Sequence, residues 1–597
     1  MPEEGDRAGV YRSEHAARTR PAGESRALED DPPNRLPHAG AVAGESDGVS
    51  PGPVAEATAP VADEAGGAAG HSAVMAVGSL VSRATGFLRT VVIAAALGST
   101  LVGNAYTNAQ FFPGMIYELL LGAILTSVLV PVLVRARKSD PDGGTAYTQR
   151  LLTLAVLALG ATTLLAVAAA PLLALLVTRD APSRGLVTTL SYLILPTIFF
   201  YGLAAILTAV LNTRGHFAAP MWAPILNNLV VIATFGLYLL LFGTDPPTPD
   251  RMSAGKIALI GGGTLLGIVV QAGGLVPALR RVGFRWGWRY DFRALRPREL
   301  GRLGVWMFCY VAVNQVGVVV LMRLINAASA DDDNAGLLIY NNVFLLMMMA
   351  HGIIAVSIIV ALLPRMSAAS ADGRYADVAA DLSRGTRMAT AVLAPIVVGY
   401  AVLALPLSVT LFQWGNFEDT DAAAMAPVLL IAGLALIPFA ISQLVTFTWY
   451  ALPDTKTPAL VNIPVVGLRI VVQVGLFLAF SASFVATGVM LGNAVSYVFA
   501  AAVMAWLLRR RIGRIGLREI AVTTAKVLLA GGGAALVCLL VVRLLPGAAA
   551  PTKLQAVVQL IAGAVAIGAT YVGLAVLLRL REVNEVLDLV RRRLPGR

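Results

Sequence analysis

The sequence predicts an all-α polytopic membrane protein of fourteen transmembrane helices, built as two parallel six-helix repeats with two extra C-terminal helices. Three observations lead there. Of 597 residues, 57% are hydrophobic and only 14% charged, with mean hydropathy +0.74, whereas a soluble domain carries about 25% charged residues. From residue 72 the chain is a succession of apolar runs, each near the roughly 20 residues needed to cross a bilayer. Short patterns in the first six runs return in the next six.

Residues 1–71 stand apart. "MPEEGDRAGVYRSEHAARTRPAGESRALEDDPPNRLPHAG" mixes Pro, Gly, Ala and both charges with few large apolar side chains. Such a segment buries too little surface to offset its ordering entropy, and it has no apolar signal-peptide core. A disordered cytoplasmic tail is expected. The spans then centre on 74–98, 109–134, 151–178, 186–211, 220–243, 256–279, 303–326, 336–363, 389–413, 424–450, 458–480, 484–508, 520–545 and 555–579. Helices one to six make an N-lobe (72–281), a basic cytoplasmic linker covers 282–302, and helices seven to twelve make a C-lobe (303–511). Helices thirteen and fourteen fill 512–580, ahead of a basic cytoplasmic tail, 581–597. Cys309 and Cys538, the only cysteines, lie in apolar runs and offer neither a disulfide framework nor a metal spacing.

Orientation follows from the loops. "RRVGFRWGWRYDFRALRPRELGR" (280–302) carries eight arginines and "RRRIGRIGLRE" five. The alternate loops "GTDPPTPDRMSAGK", "NAASADDDN" and "GNFEDTDAAA" are neutral or acidic. The positive-inside bias therefore puts even-numbered loops and both termini in the cytoplasm of a multi-pass protein of the cell (inner) membrane. The net charge of +11 sits in these loops, so it sets topology and forms no nucleic-acid patch.

The repeat shows as ordered matches. "GAILTSVLVPVLVRARKSD" from Gly122 returns as "GIIAVSIIVALLPRMSAAS" from Gly352, and Pro171-Leu172 returns as Pro406-Leu407. Pro196, sixteen residues before Asn212-Thr213-Arg214, answers to Pro438, sixteen before Asp454-Thr455-Lys456. Six helices per repeat keep the halves in the same orientation, the parallel arrangement in which two bundles enclose a central site.

Charges inside the spans are few. Arg83 and Arg89 lie in the first span, Arg323 in the seventh, Arg469 in the eleventh, with Glu118 the one acid and His351 the one histidine. Six helical positions are ~600°, so Arg83 and Arg89 are expected on different flanks. Glu118 is expected to balance one arginine, Arg323 to snorkel to the outer interface, and His351 to pack. One carboxylate does not neutralise Arg83, Arg89 and Arg469 together, and intramembrane arginines line a water-filled cavity or meet an anion. An anionic cargo is expected. The same count disfavours an exporter coupled to Na⁺ or H⁺, which needs intramembrane carboxylates. No nucleotide loop, zinc spacing or catalytic triad occurs in the loops, so neither an enzyme nor a cofactor is expected.

"VSRATGFLRTVVIAAALG", "LFQWGNF" (411–417), "WYALPDTKTP" (449–458) and "ALLPRMSAASADGRYADVAADLSRGTRM" (361–388) resemble, in order, segments of the MviN/MurJ family, proposed flippases of lipid II, over about residues 72–580. The resemblance implies two six-helix lobes in a V around a cationic cavity, the multidrug/oligosaccharidyl-lipid/polysaccharide exporter superfold, with helices thirteen and fourteen forming a groove for a lipid tail. It implies that Arg83 and Arg89 contact the cargo's pyrophosphate. Thr90, Asn104, Glu118 and Arg469 complete the candidate substrate-binding set. The chain departs from family patterns at Asn104, at Tyr117-Glu118, and at Asn341-Asn342-Val343.

The leading expectation is a flippase carrying polyprenyl-pyrophosphate-linked peptidoglycan precursor from inner to outer leaflet by alternating access, for cell-wall synthesis. Its partners would be the lipid-linked anionic substrate, the membrane and cell-wall synthesis proteins, with no nucleic acid. A cation- or proton-coupled small-molecule exporter of the same superfold, or a non-transporting cell-wall scaffold, stays open at this point.

Overall fold

The computed structural model describes residues 68–119, 142, 144–178, 181–245, 247–292, 297–329 and 336–585. Every regular element among them is helical. In chain order these are α1 (Ala68–Leu97), α2 (Leu101–Tyr117), α3 (Thr145–Ala168), α4 (Ala170–Val177), α5 (Ala181–Ile194), α6 (Thr197–Thr213), α7 (Ala218–Phe242) and α8 (Ala254–Arg281). The second half holds α9 (Pro297–Ser329), α10 (Leu337–Ala371), α11 (Tyr375–Val402), α12 (Ala404–Phe412), α13 (Asp419–Ala451), α14 (Lys456–Ala479), α15 (Val485–Ile512), α16 (Leu517–Leu544) and α17 (Lys553–Leu577). Thirteen stretches among the described residues are long and apolar enough to cross a membrane. The second expected span, 109–134, begins on α2 and runs outside the described residues, as does the Gly122 copy of the repeated motif. Most of the expected tail, 1–67, also lies outside them.

The repeat reappears as packing. In the first half α1 packs on α7, α7 on α8, α6 on α8 and α3 on α6; in the second, α9 packs on α14, α14 on α15, α13 on α15 and α11 on α13. Each pair recurs six spans later. The paired prolines explain a shared irregularity: span three breaks at Ala169, before Pro171, and span nine breaks at Leu403, before Pro406. Proline lacks the N–H an unbroken helix would use and fits the first turn of the helix that follows. Span four likewise breaks before Pro196, at α5 and α6. Its counterpart Pro438 instead stays inside the continuous α13, which is flanked by α10, α11 and α15. Neighbouring helices can hold a spanning helix together through a proline.

Helix ends carry the charge pattern of the loops. Arg280 and Arg281 close α8 and Arg509–Arg511 close α15, while Glu418 and Asp421 form a reciprocal capping box at the start of α13. Both arrangements favour the helix dipole. The loops thus define a basic end and a neutral-to-acidic end. Helix α16 packs on α11 and α17, and α17 also on α12. Tyr571 donates its hydroxyl to the Ala391 carbonyl at 2.7 Å. Residues 581–585, expected in the tail, are helical and held to α11 by Arg387–Glu582 at 2.8 Å and Arg384–Glu585 at 2.9 Å. The outward faces of α16 and α17 expose Leu528, Leu529, Leu536, Leu554 and Ile561, the surface expected to face lipid.

Candidate functional site

Helix α1 borders the seam between the two halves, and α10 runs antiparallel along its other side. Arg89 and Thr90 from α1, Thr107 and Gln110 from α2, and Asn341 from α10 line one narrow cleft, with Ile93, Phe111, Leu338 and Leu345 as apolar walls. The Nε of Arg89 is buried there with no hydrogen-bond partner among the described residues. A buried charged donor left so is costly unless something accepts from it. Thr90 donates back to the Gly86 carbonyl at 3.1 Å, which leaves its oxygen able to accept.

Arg83 lies ~9 Å earlier along the same helix. Its guanidinium packs on Gly352 of α10, so closely that a methyl group at that glycine would lie 2.7 Å from Nη1. The two arginines leave α1 on different flanks, as the helical angle requires, yet both flanks border α10. The repeated Gly-x-Ile-x-x-Ser motif therefore has a local reason in its second copy: any side chain at Gly352 would displace Arg83.

Beyond Arg89, toward the neutral end, the seam is closed by a polar clasp. Asn416, in the loop before α13, donates its backbone N–H to the Ala95 carbonyl at 2.8 Å and its side-chain amide to the Ala96 carbonyl at 2.8 Å. Gly98 (φ +63°) lies against the Asn416 carbonyl and Gly415 (φ +58°) against the Ala95 carbonyl; a Cβ at either would come within 2.3 Å of backbone oxygen. Only glycine suits both the left-handed backbone and the approach. The "AAALG" of the first span and the "WGNF" of the loop after the ninth are thus two sides of one contact.

Helix α9 adds a second joint. Arg323 donates to the carbonyls of Leu175 at 2.9 Å and Leu176 at 3.0 Å, and Asn326 to that of Val177 at 3.0 Å. Together they satisfy three successive carbonyls at the C-terminus of α4, groups with no partner inside their own helix. Snorkelling was the expectation for Arg323; capping a helix of the other half is what it does. Asn326 also exchanges amide hydrogen bonds with Asn108 of α2, at 2.8 and 2.9 Å.

The other candidates do not line the cleft. Asn104 belongs to the closed end: its side-chain oxygen accepts from the Leu338 N–H at 3.2 Å, capping α10. Glu118, at the end of α2, accepts from Gln315 of α9 at 3.1 Å. Arg469 is 3% exposed, donates to Asn314 at 3.0 Å and packs on Gly317, within a separate C-lobe pocket with Ser442, Thr446 and Asn462. His351 packs on Phe439, ring centroids 4.5 Å apart. Sequence reasoning missed Thr107, Gln110, Asn108, Asn326 and the glycine–asparagine clasp. Neutral polar residues in membrane helices carry no contrast that singles them out, and two carbonyl-to-glycine approaches are visible only once both segments are placed.

The chain is similar to known proteins over most of its length. A "Probable lipid II flippase MurJ" of Synechocystis sp. is 25% identical over 453 residues, 74% of this chain and 82% of the relative. A "Lipid II flippase MurJ" of Burkholderia cenocepacia is 27% identical over 403 residues, 66% of this chain and 75% of the relative. Among solved structures, a lipid II flippase MurJ in an inward closed conformation superposes with a TM-score of 0.66 at 18% identity, covering 85% of this chain and 99% of that one; this likeness establishes the fold. The model of the family described as lipid II flippase MurJ matches residues 93–554, which include the clasp and begin after Arg83 and Arg89, and the chain belongs to that family.

Proposed function

We propose that this protein moves lipid II, the polyprenyl-diphosphate-linked peptidoglycan precursor, from the inner to the outer leaflet by alternating access between its two halves. The observation that carries the reading is the cleft at the seam, where Arg89 presents a buried Nε with no partner among the described residues, beside Thr90, Thr107, Gln110 and Asn341. A diphosphate offers the acceptors such a site requires, and guanidinium geometry suits phosphate oxygens. Arg83, against Gly352, adds a second cation along the path, and the buried Arg469 contributes positive potential from the C-lobe.

The arginine-rich loops support a cytoplasmic location for the end of the seam away from the clasp, with both termini inside. The clasp of Gly98, Gly415 and Asn416, with the Asn108–Asn326 pair, then closes the outer side. Transport requires these inter-half hydrogen bonds to open while the seam at the basic end closes. The neutral amides make that exchange cheap, since each net hydrogen bond is worth about 1 kcal/mol. Helices α16 and α17 offer the apolar outer surface along which the polyprenyl tail stays in lipid.

The test is lipid II accessibility at the outer face of cells depleted of the native protein and supplied with Arg89→Ala. Lipid II retained in the inner leaflet, with the variant at normal membrane abundance, supports the reading. Unchanged outer-leaflet lipid II in both Arg89→Ala and Arg83→Ala overturns it.

A further inference from the structure

The segment after α8 is an ordered strap. Phe284 anchors its start, 2% exposed, with the Arg214 guanidinium 4.9 Å over its ring. The strap is then pinned to the first turns of α3. Gln149 donates to the Arg285 carbonyl at 2.8 Å and accepts from the Arg289 side chain at 2.9 Å. The Arg289 N–H donates to the Thr153 hydroxyl at 3.2 Å, and Arg150 pairs with Asp291 at 2.6 Å.

Held this way, the strap turns its aromatic rings outward. Trp286, Trp288 and Tyr290 are 41%, 55% and 66% exposed; the first two rings are 4.8 Å apart, and the second and third stack at 6.4 Å. Arg280, Arg281, Arg285 and Arg289 are exposed around them. Both anchoring elements, the end of α8 and the start of α3, are ends of membrane-spanning stretches, so the strap lies at the membrane edge. Tryptophan and tyrosine favour the depth of the headgroups, and a juxtamembrane cluster of arginines attracts anionic lipid. Three large rings held in water would be a costly exposed patch; seated among headgroups they are not.

We propose that residues 284–292, with Arg280 and Arg281, form a docking surface for anionic phospholipid headgroups of the leaflet at the basic end. The surface is separate from the cargo cleft and does not depend on what the cleft carries. It ties the junction between the two halves to the leaflet, because the next element, α9, opens the second half.

The experiment uses the full chain in phosphatidylcholine nanodiscs containing a fixed fraction of brominated phosphatidylglycerol or brominated phosphatidylcholine. The fluorescence due to Trp286 and Trp288 is taken as the difference from Trp286→Phe/Trp288→Phe. Brominated phosphatidylglycerol should quench that share several-fold more than brominated phosphatidylcholine. Arg281→Gln/Arg285→Gln should remove the preference while quenching of the other tryptophans is unchanged. Equal quenching by the two lipids, or none by either, overturns the proposal. Added unlabelled lipid II at low mole fraction should leave the quenching in place; its loss would assign the strap to cargo and also overturn the proposal.

Discussion

Arg89 and Arg83 pose different demands on the chain, and their variants should separate them. Arg89→Ala removes a cation whose Nε has no partner among the described residues, so abundance should hold while translocation is lost. Arg89→Lys keeps the charge without the planar fork and should retain abundance with weakened transport. Gly352→Ala acts on Arg83: the added methyl meets the mobile end of the arginine, so the fold should survive while the guanidinium shifts and transport falls. Full transport in Gly352→Ala would show that Arg83's position is unused. The two arginines were legible in the sequence because a charge inside an apolar run costs at least ~2.5 kcal/mol at mid-bilayer and stands out. Thr107 and Gln110, which share the cleft with Arg89, were not, since nothing in their neighbourhoods sets them apart, and Asn341 stood out only as a departure from the family's pattern.

At the scale of elements, the clasp and the helix caps can be probed one at a time. Gly98→Ala or Gly415→Ala forces a Cβ against a carbonyl at positive φ, a strain of about 1–3 kcal/mol. The closed end should loosen, and a cysteine placed at Thr107 should become reactive to an impermeant reagent from the outer side; unchanged protection would show that the glycines do not hold it shut. Asn416→Ala, which keeps the backbone bond to Ala95, should have a milder effect. Between α13 and α14, the Asp454 carboxyl is held below its usual range. Burial pushes it up, but the Thr457 N–H and hydroxyl and the Arg511 guanidinium outweigh burial. Because the folded value is the lower one, the stabilisation is present at neutral pH and fades as pH falls from about 4 through the folded value. Melting temperatures should show Asp454→Asn less stable than the native chain at pH 7, with the gap closing on acidification. A gap independent of pH would assign the effect to packing. "DTKTP" marked this turn as a repeat match; that its aspartate caps Thr457 and meets Arg511 from α15 at 2.5 Å needed three elements in place.

For the whole molecule, cysteine labelling in a background lacking Cys309 and Cys538 tests the orientation. Ser481→Cys should label from outside intact cells and Arg514→Cys only after permeabilisation; the reverse would invert the direction of transport. The class of fold was determined by the sequence alone: apolar runs of spanning length, basic loops alternating with neutral ones, and a repeat whose prolines break spans three and nine alike. These are local properties, because in a bilayer each helix satisfies its own backbone and its length and flanks suffice to place it. Which residues share a site was decided only by the tertiary structure. Arg89 and Asn341 are 252 residues apart in the chain yet line one cleft, whereas Arg469, read from the same rarity of charge, is buried with Asn314 in a different pocket. Hydropathy records how deep a residue sits, while the partner it meets depends on how helices from the two halves cross, and no local pattern along the chain encodes that crossing.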